Sequence, residues 1–121
     1  MARNVLGGEL QECGRSPLTG FFRDGCCNTG ADDVGRHVVC VVVDEDFLDF
    51  SLSQGNDLIT AMPQYGFEGL KPGDRWCLCG SRWVEALDAD LAPPVVLEAT
   101  HEVMLQLVTL EHLRAHEAPS G

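Results

Sequence analysis

The residues of this chain best suited to chemistry are its cysteines, Cys13, Cys26, Cys27, Cys40, Cys77 and Cys79, and its histidines, His37, His101, His112 and His116. Thiolates and imidazoles are the donors that zinc prefers, and a strong zinc signature would be two C-x-x-C knuckles, or one knuckle with H-x-x-x-H. The spacings here differ: "CC" at 26–27, "CLC" at 77–79, and His112 four residues before His116. That histidine pair falls at the end of a C-terminal helix, where imidazoles suit the negative end of the dipole on a solvated face. "HEVML" begins like a zinc-protease helix, but Leu105 stands where the second histidine is needed. No metal is assured by spacing. In a strand, Cys77 and Cys79 share a face with Cβ atoms ~6–7 Å apart, too far to bridge each other. They could face one ion if the N-terminal loop brought Cys26 or Cys27 alongside.

Thiol catalysis is the second chemistry these residues allow. It needs a cysteine near a histidine or a helix N-terminus. Cys79 lies two residues before Ser81, a candidate helix cap, and His101 or His37 could sit across the sheet, with His101 the assigned base. The inert alternative is that Cys40, Cys77 and Cys79 simply fill the sheet core. Arg23, Gly25 and the amides near Gly80 and Ser81, together with Arg82, could offer donors to a carboxylate or phosphate. No G-x-x-x-x-G-K-[ST] or G-x-G-x-x-G motif is present, so nucleotide binding has no motif behind it, and "DGCCNTGADD" lacks calcium-loop spacing. Trp76 and Trp83 read as core anchors, while Tyr65 and Phe67 could cover a pocket.

The elements that must position these groups follow from periodicity. The glycine-rich first 36 residues read as a long ordered loop. "HVVCVVV", His37 to Val43, is a β-branched run suited to a buried strand. Asp44 then caps a helix from about Glu45 to Gln54, stopped by Gly55 and Asn56. "LKPGD" is a type II turn, "RWCLC" a short strand, and Trp83, Leu87 and Leu91 give the i, i+4, i+8 stripe of a helix that Pro93 and Pro94 end. "VVLEA" has strand propensity, "THEVMLQLV" is ambiguous between helix and strand, and Thr109 caps a terminal helix to about His116. This order predicts an α+β fold: a small two-layer domain, 1–121, with helices packed on one face of a three- or four-stranded sheet.

Composition narrows the partners. With 45% hydrophobic and 22% charged residues the chain is that of a folded protein, and 8 basic against 19 acidic residues give a net charge of −11. Such a surface repels phosphate backbones and anionic lipids, so neither nucleic acid nor membrane is an expected partner. "MARNVLGGEL" lacks the apolar run of an export signal, so a cytosolic protein with reduced cysteines, rather than a secreted disulfide framework, is expected.

Several long segments together carry a family resemblance: "NVLGGEL", "PLTGFFRDGCCNTGADDVGRHVVC", "FLDFSLSQGNDL", "GLKPGDRWCLCGSRW" and "APPVVLEATHE". Over nearly its whole length the chain resembles the bacterial family called domain of unknown function 2237. The resemblance implies a small α+β domain and no particular activity or cofactor. The recognisable residues fall largely in loops, where binding and chemistry concentrate. They suggest one pocket where the N-terminal loop meets the "WCLC" strand and the "ATH" segment. The leading expectation is a small-ligand or metal site built from Arg23, Cys26, Cys27, Cys77, Cys79 and His101. The alternatives are a thiol enzyme with a cysteine nucleophile and histidine base, and a structural or protein-interaction module with inert buried cysteines.

Overall fold

A computed structural model of the chain describes residues 2–119. The β-branched run forms strand β1, His37–Val42, and the "RWCLC" segment forms β2, Arg75–Cys79. The two pair antiparallel, with Val42 opposite Arg75, Cys40 opposite Cys77, Val39 opposite Leu78 and His37 opposite Cys79. The register therefore shifts between His37 and Val39, leaving Val38 outside the ladder in a bulge. Its backbone is satisfied elsewhere: the Val38 amide donates to the Arg36 carbonyl at 2.8 Å, and the His101 amide donates to the Val38 carbonyl at 2.8 Å.

The sheet has two strands among the described residues, where three or four were expected. "VVLEA" is the difference. Val95 makes an isolated bridge to Val41, after which Leu97–Ala99 winds into a 3-10 turn. The segment still runs along the free edge of β1. The Val42 amide donates to the Pro94 carbonyl, the Val96 amide to the Cys40 carbonyl, and the Cys40 amide to the Thr100 hydroxyl at 3.2 Å. Pro94 has no amide to give and a side-chain hydroxyl replaces one main-chain acceptor, so the edge is covered without a regular ladder.

Asp44 caps helix α1, Glu45–Ser53, its carboxylate accepting from the Phe47 amide at 2.8 Å, with Glu45 and Asp46 in the first turn. Lys71 to Asp74 forms the anticipated turn, with Gly73 at φ 97° and the Asp74 amide donating to the Lys71 carbonyl. Helix α2, Gly80–Asp88, starts directly after β2. It ends well before Pro93 and Pro94. The Leu91 amide returns to the Ala86 carbonyl and Asp90 turns to φ 63°, so Leu91 is not on the helix as its spacing had suggested. The ambiguous "THEVMLQLV" becomes a 3-10 helix, Glu102–Gln106, and Thr109 caps α3, Leu110–Ala115.

Alternation along the two strands sorts their side chains. Val39, Val41, Trp76 and Leu78 join the apolar core with Phe47, Trp83, Leu97, Met104 and Leu113. Cys40 and Cys77 instead cluster with Cys13, Cys27 and Ala99. Residues 2–36, which carry turns and isolated bridges but no helix or strand, supply Cys13 and Cys27 to this second cluster. No helix among the described residues is long and apolar enough to cross a membrane.

Candidate functional site

Four of the six cysteines are bonded: Cys13 to Cys40 and Cys27 to Cys77. This overturns the expectation of six reduced thiols, and Cys40 and Cys77 are cross-links rather than mere fillers of the sheet core. Each pair ties the irregular N-terminal segment to one strand. The expectation rested on export signals and local spacing, whereas these pairs lie 27 and 50 residues apart and leave no local pattern. Cys26 and Cys79 remain free, and Cys77 and Cys79 do not bridge each other.

A cleft of about 520 Å³ opens where residues 20–23 meet β2 and the start of α2. Arg23, His37, Trp76, Cys77, Cys79 and Arg82 are among its lining residues. Its reactive edge is built by the β1 bulge. An uninterrupted register would set Val38 opposite Cys79; the extra residue sets His37 there instead.

Asp33 fixes the state of that imidazole. Its side chain is fully buried, and its carboxylate accepts from the His37 amide at 2.9 Å and the Thr29 hydroxyl at 3.0 Å while lying 2.6 Å from His37 Nδ1. Burial alone would raise the Asp33 pKa. The His37 amide and imidazole, with the Thr29 hydroxyl, outweigh it and hold the carboxyl below its ordinary 3.8. An ionised carboxylate can only accept, so Nδ1 carries the hydrogen, and in the neutral ring the lone pair is on Nε2. Phe21 stacks on the ring at 6.3 Å and 19°.

Cys79 occupies the N-cap position of α2, and no side chain caps that helix end. Its thiol donates to the Gly35 carbonyl at 2.7 Å and lies 3.1 Å from the Ser81 hydroxyl. A methyl placed on Gly35 would lie 3.5 Å from both Cys79 Sγ and His37 Nε2. The two reactive atoms thus flank one point, which glycine leaves open. The cations stand at the rim. Arg23, at φ 54°, holds its guanidinium 5.3 Å from the Trp76 ring centroid, and Arg82 bonds the Gln54 carbonyl at 3.1 Å and Glu85 at 3.2 Å.

Of the residues singled out from sequence, Arg23, Cys77 and Cys79 share this cleft. Cys27 is joined to Cys77 but does not line it. Cys26 is half-buried away from it; burial, followed by the charges of Asp24 and Glu12, raises its pKa against the opposing Arg15. His101 is buried elsewhere. Its amide donates to Val38, and its Nδ1 accepts from the Val103 amide at 3.0 Å, capping the 3-10 helix. Burial lowers the His101 pKa, against the raising charge of Glu102. The histidine beside Cys79 is His37, and its carboxylate partner Asp33 had not been singled out. The only local signal was Asp33 four residues before His37, a spacing that means little in a glycine-rich turn.

The family model for an uncharacterised protein conserved in bacteria, domain of unknown function 2237, matches residues 3–117. No curated protein matches the chain. The chain belongs to the domain of unknown function 2237 family.

Proposed function

We propose that this family member is a thiol-dependent enzyme acting on a small anionic substrate, with Cys79 as nucleophile, His37 as base and Asp33 as the carboxylate that orients the base. The observation that carries the reading is the Asp33–His37 pair set opposite Cys79 in one cleft. It is the nucleophile, base and orienting group of a covalent catalyst. Arg23, which forms no ion pair among the described residues, and Arg82, which shares its charge with Glu85, support an anionic substrate at the rim.

The reaction class that suits these groups is acyl transfer. The Cys79 thiol turns from the Gly35 carbonyl toward His37, and its proton passes to Nε2. The sulfur then bonds to the substrate carbonyl carbon and the leaving group departs with that proton; water then attacks the resulting thioester, His37 takes a proton from it, and that proton returns to the Cys79 sulfur as the carbon–sulfur bond breaks. The positive end of α2 favours the developing oxyanion, although the Gly80 amide is already given to the Arg36 carbonyl at 3.0 Å. The proposal includes a single domain in a cytosolic setting, where the two disulfides would face reduction, and no nucleic-acid or membrane partner, this last supported by the net charge of −11.

A second reading, a ligand-binding cleft without covalent chemistry, is favoured by one contact, the thiol held on the Gly35 carbonyl. Alkylation separates the two. With iodoacetamide near neutral pH, Cys79 is expected to react first, and His37→Gln to slow it by about a hundredfold or more, the lower end of the usual contribution of a positioned base. Iodoacetate should gain on iodoacetamide at Cys79 relative to Cys26, because only Cys79 lies beside the two arginines. A Cys79 rate equal to that of Cys26 and untouched by His37→Gln would reject the enzyme and leave the binding cleft.

A further inference from the structure

Beneath the cleft lies a sulfur cluster that the proposed chemistry does not use. The Sγ atoms of Cys13, Cys27 and Cys77 all lie within 4.8 Å of one another. Cys40, bonded to Cys13 at 2.04 Å and directly opposite Cys77 across the ribbon, packs beside them as the fourth cysteine, its Sγ outside that 4.8 Å grouping. All four are at most 2% exposed, and Ala99 and the half-buried Val96 pack around them. The cluster contains no carboxylate or imidazole. Four sulfurs converging from four separate chain positions in an apolar shell are the donor set of a soft, tetrahedral cation, which holds its thiolates at about 2.3 Å and hence about 3.8 Å from each other. To reach that spacing the bonded pairs, Cys13 with Cys40 and Cys27 with Cys77, must open from 2.04 Å by roughly 1.8 Å, while Cys13 closes on Cys27 and Cys77 by up to about 1 Å.

We propose that Cys13, Cys27, Cys40 and Cys77, once reduced, bind a single Zn²⁺ as a four-thiolate site that replaces the two disulfides. In the reduction, two equivalents of a dithiol are oxidised to disulfide while hydrogen passes to the four cysteine sulfurs. Zinc then binds the thiolates and up to four protons leave to solvent. The exchange keeps the same job done. Residues 2–36 have no helix or strand of their own, and these sulfurs supply the covalent cross-links between that segment and β1 and β2. A reducing compartment would otherwise leave the segment held only by hydrogen bonds, such as the Cys77 amide to the Thr19 hydroxyl, and by packing. The inference is independent of Cys79 and His37, neither of which belongs to the cluster.

The test starts from the full chain, reduced anaerobically with a dithiol, freed of reductant and titrated with Zn²⁺ against a chromophoric chelator, with Co²⁺ as a spectroscopic substitute. One equivalent is expected to bind, and Co²⁺ should show thiolate charge-transfer bands and the intense visible bands of a tetrahedral site. Alkylation followed by peptide mass spectrometry should find Cys13, Cys27, Cys40 and Cys77 protected in the zinc form and only Cys26 and Cys79 modified. The double variant Cys26→Ser with Cys79→Ser should bind unchanged, and Cys13→Ser should lose at least tenfold in affinity. The proposal fails if no zinc is retained, if Co²⁺ gives an octahedral spectrum, or if the metal protects Cys26 or Cys79. The protection pattern is read on the native sequence, so it decides the matter even if Cys13→Ser does not fold.

Discussion

Two residues, Asp33 through its hydrogen bonds and His101 through its burial, make the fold sensitive to acid in separate windows. Asp33 has its pKa held below 3.8, so its contribution is present above that value and is lost as pH falls through the depressed folded value. His101 is the mirror case: burial lowers its pKa below 6.5. The unfolded chain then takes up a proton first as pH drops through 6.5, and stability falls until the folded state is also protonated. His101→Asn supplies an oxygen acceptor for the Val103 amide without the titration. Urea unfolding between about pH 8 and pH 5 should therefore show the parent losing stability and the variant holding level in that interval; parallel profiles would refute the assignment. Neither role was readable from the sequence. A histidine near a valine-rich strand looks the same whether it caps a turn in the interior or serves as a base in a cleft, and only the bulge at Val38 decides that His37 takes the second place.

A two-stranded ribbon has two free edges, and on each a threonine hydroxyl accepts one outward amide. Cys40 and Cys77 face one another with their amides directed outward; the Cys40 amide donates to the Thr100 hydroxyl at 3.2 Å and the Cys77 amide to the Thr19 hydroxyl at 2.8 Å. Both threonines are fully buried. Replacing either with valine keeps the shape and leaves a buried amide unpaired, at a cost of about 1–3 kcal/mol. Chemical denaturation of Thr19→Val and Thr100→Val should each show a loss in that range; losses below about 0.5 kcal/mol would mean that water reaches the amides. The strands and the capped helices were legible because β-branched runs and Asp44 or Thr109 caps act locally. "VVLEA" was not, because its valines favour a strand while Pro94 and the Thr100 hydroxyl, sixty residues from Cys40, dictate how the edge is met. The end of α2 was misplaced for a similar reason: the apolar stripe continues to Leu91, but Asp90 at φ 63° has already turned the chain.

For the molecule as a whole, charge and cross-links pull in opposite directions. A net charge of −11 repels itself in the compact state, and the ion pairs among the described residues are only Glu12–Arg15 and Arg82–Glu85, with His37 hydrogen-bonded to Asp33. Raising ionic strength from about 0.01 to 0.15 M shortens the screening length from about 30 to 8 Å, so the thermal midpoint should rise; a fall would show that those pairs outweigh the repulsion. Against this, chain-entropy arguments give the 27- and 50-residue closures about 3.5 and 4 kcal/mol. The acidity was plain from composition, and the closures were hidden because contact between Cys13 and Cys40 is a property of the folded path rather than of any local stretch. Their order along the chain, 13, 27, 40, 77, makes the two closures overlap rather than nest or follow one another. Every peptide bond from Cys13 to Cys77 is therefore bypassed by at least one sulfur bridge, and those from Cys27 to Cys40 by two. A protease that cuts anywhere in that stretch breaks the backbone without parting the pieces, and the nicked protein should keep its mass until a reductant is added.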